Sequence, residues 1–302
     1  MKEQRAPERA LAGVELTQRN RIRVAWIARL IRSQPLGMLG FMVCVLAVAG
    51  GVFAPWVQRY DMNEGNSRER LEAPSSRHWL GADEQGRDIY SRIVNGTRIS
   101  LYVAFFSVAL GTSIGYLLGI ISAYCGGWVD MLMQRVVDAM LALPPILLAL
   151  ALVAALGAGV DKIIFAISIV YAPRAARVSY GVVLSLKENV YVDAARVIGA
   201  SHLRIIMRHI LPNSLAPYVV LASVALGTAI LLEASLSFLG LGVPPPYPSW
   251  GGMLSGAAQK YAAGAPWLVI APGGAIMLLV LAFNLFGDSL RDLWDPRLRG
   301  RI

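Results

Sequence analysis

Six stretches of the chain contain no Lys, Arg, Asp or Glu: 33–58, 99–129, 139–160, 210–232, 234–259 and 261–287. Each is long enough to cross a hydrocarbon core of about 30 Å as a helix, which takes roughly 20 residues. A water-soluble domain of 302 residues has no way to bury that much apolar length. The composition, 56% hydrophobic and 16% charged, departs the same way from soluble domains, which run about 45–50% and roughly 25%. It excludes soluble enzymes, disordered chains and collagen-like chains. The expected fold class is an all-α membrane protein.

The net charge of +9 raises the question of nucleic acid, and its placement answers it. Residues 1–35 hold eight Lys/Arg against three acids, 174–209 six against two, and 287–302 four against three. Basic flanks on apolar runs follow the positive-inside rule, so no nucleic-acid partner is expected. Residues 1–35 form a basic cytoplasmic arm, whose first 32 residues precede a run of 26 uncharged residues (33–58), longer than a signal peptide's apolar stretch of about 7–15. The segment is expected to stay as an anchor. Cys44 and Cys125 read as buried, inert thiols, and His78, His202 and His209 form no closed metal set.

Crossings are expected at 36–56, 99–121, 136–156, 160–179, 215–238 and 267–286. Segment 57–98 is then periplasmic and 287–302 a cytoplasmic tail. Gly111, Gly115 and Gly119 recur every fourth residue, which lets another helix approach closely. Pro144-Pro145 predicts a kink or break in the third crossing. The fourth is short: Ile163 to Pro173 rises only about 16 Å, so it spans only if Lys162 and Arg174 or Arg177 snorkel. Basic tails at both ends require an even number of crossings, which supports six.

Between the fourth and fifth crossings, residues 189–211 read as two short helices. Asn189 is placed to cap the first and Gly199 to end it; Ser201 caps the second and Pro212 closes it. Leu203, Ile206, Met207 and Ile210 recur as one apolar stripe, with Arg204 and Arg208 as a basic ridge. Two readings stand on this pattern: docking into a groove of a soluble partner, or resting on anionic membrane lipid.

The spelling of this stretch resembles a known loop. Asp193-Ala194-Ala195, three residues, Gly199, then Leu211-Pro212 is similar to the E-A-A-x3-G-x9-I-x-L-P pattern in membrane subunits of binding-protein-dependent ABC importers. Here Asp193 replaces the glutamate and His209 the isoleucine. Trp79-Leu80-Gly81-Ala82-Asp83 through Gly86-Arg87-Asp88, Leu236-Ser237-Phe238-Leu239-Gly240, and Phe283-Asn284-Leu285-Phe286-Gly287-Asp288 resemble the C-type permease of the dipeptide and oligopeptide branch.

That resemblance, over roughly 25–300, implies a five-helix permease core plus one N-terminal helix, in a bacterial inner membrane with both termini cytoplasmic. It implies a second homologous permease, two cytosolic ABC ATPases that bind ATP and Mg, and an external substrate-binding protein, either periplasmic or lipid-anchored. No cofactor is expected in this chain, since its four lysines all lack a phosphate-binding loop context. Dipeptides or short oligopeptides are the implied cargo, with nickel or glutathione as alternatives. The implied ATPase contact is Asp193, Ala194, Ala195, Arg196, Gly199, Arg204, Leu211 and Pro212. Gly199 would set the angle between the helices, Asp193 and Arg204 would make polar contacts, and the alanines would permit close approach.

Glu233 and Asp138 are the acids nearest membrane depth. Each has a pathway reading and a plainer one: a hydrogen bond to a neighbouring helix for Glu233, an ion pair with Arg135 for Asp138. Segment 83–98 reads as a short amphipathic helix capped by Asp83 and carrying an Asp88–Arg92 pair. A standalone secondary transporter and a membrane-embedded hydrolase are the competing classes. They lack support in internal repeats or in a nucleophile–base set.

Overall fold

A computed structural model describes residues 34–294. The expectations for the basic arm and the tail fall mainly on 1–33 and 295–302, outside the described residues. Among the described residues the chain is helical, with only two isolated bridges, Gly65 to Arg87 and Ala82 to Asp88. The principal helices are α1 (Pro35–Val52), α2 (Ile89–Cys125), α3 (Gly127–Leu141), α4 (Pro145–Leu156), α5 (Val160–Lys187), α6 (Val190–Val197), α7 (His202–Phe238) and α8 (Trp267–Trp294). Five are long and apolar enough to cross a membrane, and α3 with α4 makes six if that bent pair is one span.

The core is a close parallel contact between α2 and α5. A Cβ on Gly111, Gly115 or Gly119 would meet the backbone of Ser168, Ala172 or Ala176 at 2.0 to 2.3 Å. Small residues every fourth position therefore give α2 a groove that the α5 backbone fills. Helix α7 packs against both with opposite direction: Ser100 on α2 meets Glu233, while Tyr116 donates to the Ser214 carbonyl at 2.7 Å. Helix α1 lies outermost, with Gly37 against Ser289 and Gly40 against the Ala282 carbonyl of α8. The bundle thus has an elbow end, carrying residues 188–201, and a cap end, built from 53–88 and 239–266.

Several elements differ from the sequence expectation. The proline pair makes a 93° bend between α3 and α4, far beyond a kink, because Pro144 is extended and starts a new helix axis. Helix α5 has 28 residues rather than about 20. Counting charges ends it early, but Arg174 and Arg177 sit on its exposed face while Ala175, Ala176, Ser179 and Val183 stay buried. Asp83 caps no helix. Its carboxylate closes a turn onto the Gln85 and Arg87 amides, and Asp88 caps α2 by accepting the Ser91 amide at 2.8 Å. Arg92 reaches the Met62 carbonyl instead of pairing with Asp88. Cys44 is buried, whereas Cys125 is exposed.

The cap end is tied by a hydrogen-bonded knot. His78 bonds Asp88 through Nδ1 at 2.9 Å and Glu69 through Nε2 at 3.1 Å, while Asp88 also accepts the Ser91 hydroxyl at 2.7 Å. The amides of Arg59 and Tyr60 donate to that hydroxyl, so three segments converge on the first turn of α2. Burial alone would lower the His78 pKa, but the Asp88 and Glu69 hydrogen bonds outweigh it and hold the pKa above its ordinary value.

Candidate functional site: the elbow between α5 and α7

Helix α6 ends in a Schellman motif. Gly199 has φ +79°, its amide donates to the Arg196 carbonyl, and the Ala200 amide reaches back to Ala195, both at 3.0 Å. A side chain with a Cβ is strained there, although the space around it is open. Ser201 then caps α7, its hydroxyl accepting from the Arg204 amide at 3.4 Å. Asn189 occupies the N-cap position of α6 but makes no cap. Its amide side chain donates to the Ser185 and Leu186 carbonyls, closing the end of α5 instead.

Pro212 does not close the second helix. Residues 206–210 form one π-helical turn, with the Leu211 amide bonded to the Ile206 carbonyl, and the helix continues to Phe238. The wider turn accommodates a proline that has no N–H for the Arg208 carbonyl and would crowd it. The second elbow helix is therefore the first two turns of the rod α7, whose 37 residues extend about 55 Å.

The same turn splits the expected apolar stripe. Ile205 and Ile210 are buried with Val192 and Ala195 against Tyr116, Ile120, Ala123 and Val183. Burying each large aliphatic side chain contributes about 1.5–3 kcal/mol, which holds the elbow on the bundle. Lys187 Nζ donates to the Ala123 carbonyl at 2.9 Å, and Tyr124 meets His202 at 3.0 Å.

Facing outward is a plate of large apolar side chains. Val190 is 84%, Val197 87% and Ile198 83% exposed, with Leu203 and Met207 exposed beside them. Arg196, Arg204 and Arg208 are exposed on the same elbow, and Asp193 pairs with Arg196 at 3.0 Å. Of the two alanines only Ala194 lies on this surface, since Ala195 points into the core. Gly199 and Pro212 are exposed, Leu211 is half-buried, and Arg204 has no ion pair among the described residues. Val190, Val197 and Ile198 were not singled out from sequence. Their only signal was position, flanking the Ala pair on the side opposite Val192 and Ala195.

The two membrane-depth acids are placed elsewhere. Glu233 is fully buried, accepting from Ser100 at 3.0 Å and from Ser237 at 2.8 Å, so it ties α7 to α2. Asp138 pairs with Arg177 of α5 and not with Arg135.

Residues 115–300, which include the elbow, match the family described as binding-protein-dependent transport system inner membrane component. The chain belongs to this family. The permease is also 45% identical over 269 residues to a dipeptide transport system permease protein of Alkalihalophilus pseudofirmus, covering 89% of this chain and 88% of the relative. It is 42% identical over 294 residues to a glutathione transport system permease protein of Escherichia coli, covering 96% and 97%. A glutathione transport system permease protein of Pectobacterium atrosepticum is 42% identical over 292 residues, with the same coverage. The permease is thus a multi-pass inner-membrane transport subunit.

Proposed function

We propose that this permease forms half of the translocation pathway of an ATP-driven importer for dipeptides or short oligopeptides. Cytosolic ATPases would grip its elbow, and a second permease and an external binding protein would complete the machine. Glutathione is the second cargo reading, favoured by the 42% identical relatives, and it shares the peptide's chemistry. The observation that carries the coupling role is the exposed plate of Val190, Val197 and Ile198 at the end of the bundle. A large apolar patch with arginines exposed on the same elbow fits a protein groove rather than solvent. On this reading the elbow and both termini are cytoplasmic, and ATP bound by the partners biases one of two rigid-body states.

Because Leu203 and Met207, exposed on the same elbow, lie in the first turns of the rod α7, displacement there would be transmitted along one helix to the cap end. The test is Ile198→Asp, which changes an exposed side chain and leaves the fold intact. The permease should still insert, while co-purification of the ATPases and uptake both fall at least about tenfold, the loss expected from an interface hot spot. Normal uptake by this variant would refute the docking role.

A further inference from the structure

Arg174 stands between the Gly115–Ala172 and Gly119–Ala176 contacts of the α2–α5 core, so its Cα lies at membrane depth, about 21 Å along α5 from Val160. No carboxylate lies within ion-pair distance of it among the described residues, whereas Arg177, one turn on, is paired with Asp138. Arg174, exposed on α5, lines a cleft of about 90 Å³ between α2, α5 and α7, with Thr112, Tyr171, Leu221 and Thr228. The hydroxyls in this cleft are already committed. Tyr171 donates to Thr228 at 2.9 Å, Thr228 to the Ala225 carbonyl at 3.0 Å, and Thr112 to the Val108 carbonyl at 2.6 Å. What remains is a guanidinium with five donors in a fixed fork.

The open side of α5 also differs from the lipid-facing surfaces. On α1 the large exposed side chains include Leu36, Leu39, Met42, Leu46 and Val52. On α5, Arg174, Arg177 and Gly181 follow one another at i, i+3 and i+7 on an exposed face. An unpaired arginine at this depth is unfavourable in hydrocarbon and belongs against water or protein. We infer that Arg174 is a station in the translocation pathway that receives a carboxylate of the passing cargo through its guanidinium fork. The inference rests on the importer reading above, in which peptides and glutathione all carry a free carboxylate. The cleft holds about three waters' worth of space, enough for a carboxylate head and not a whole peptide. Such a contact orients cargo without trapping it.

The test uses the complete transporter with its binding protein in proteoliposomes and dialanine as the probe. Arg174→Gln should lower dialanine uptake about tenfold or more, the loss expected for a charge-assisted bidentate bond, with binding-protein-stimulated ATP hydrolysis within about twofold. Arg174→Lys, which keeps the charge without the fork, should keep only part of the uptake. In a Cys125→Ser background, Arg174→Cys should regain a similar part with a thiol reagent that adds a trimethylammonium group, which supplies charge alone, and none with one that adds a sulfonate. Full uptake by Arg174→Gln, or equal effects of the two reagents, would overturn the inference. Loss of the second permease from the purified complex would also overturn it, placing the carboxylate on that subunit. If the unsubstituted transporter moves no dialanine while hydrolysing ATP, the peptide reading itself fails and the station falls with it.

Discussion

At Gly115 a Cβ would stand 2.0 Å from the Ala172 carbonyl oxygen, whereas at Gly199 nothing lies within 4 Å and only the φ of +79° favours glycine. The two glycines therefore fail differently. Gly115→Val overpacks the α2–α5 core and should cost about 1–3 kcal/mol, seen as a lower thermal inactivation midpoint in detergent. Gly199→Asn, which tolerates the left-handed region, should retain most uptake, while Gly199→Val loses it without a comparable fall in that midpoint. Glu233 is a tie between helices, so Glu233→Gln, able to meet both serine hydroxyls, should transport normally. Glu233→Leu removes the acceptor of the Ser100 and Ser237 hydroxyls and should cost about 1–3 kcal/mol by the same thermal measurement.

Among the elements, those set by local composition were legible in the sequence and those set by distant partners were not. Six apolar runs, the glycine ladder and the Gly199 stop were all readable, because each follows from residues within a few turns. The long α5 and the Asp88 cap were not. Charge counting cannot see that Arg174 lines a cleft, or that Ser91 gathers the amides of Arg59 and Tyr60 from 32 and 31 positions away. Pro212 misled for a local reason, since a π turn just before it lets the helix pass through it. That continuity is itself testable. Replacing Pro212 and Asn213 by Gly-Gly should soften the rod, so ATPase co-purification persists while uptake drops several-fold. At the cap end, the raised His78 pKa means that its stabilisation is complete below the ordinary value of 6.5 and is lost as pH rises through the folded value. Amide protection factors across 59–91, corrected for the intrinsic rise of exchange with pH, should fall on that alkaline side, and His78→Gln should flatten the dependence.

On the scale of the whole molecule, the bundle joins a cap end knotted at the start of α2 to an elbow end that shares one helix with the core. Family membership and the fold account for a transport subunit; on the proposed coupling role, the exposed plate is where force would enter it. The coupling residues inferred from the motif divide on this surface: Asp193, Ala194, Arg196, Gly199 and Arg204 face outward with the plate, while Ala195 secures the elbow to the bundle. The most direct measurement is labelling of Ile198→Cys, in a Cys125→Ser background, with a membrane-impermeant maleimide on vesicles of both orientations. Reaction only from the cytoplasmic side, blocked when the ATPases are bound, is the predicted result. Reaction from the external side, or labelling unchanged by the ATPases, would contradict the coupling role of the elbow.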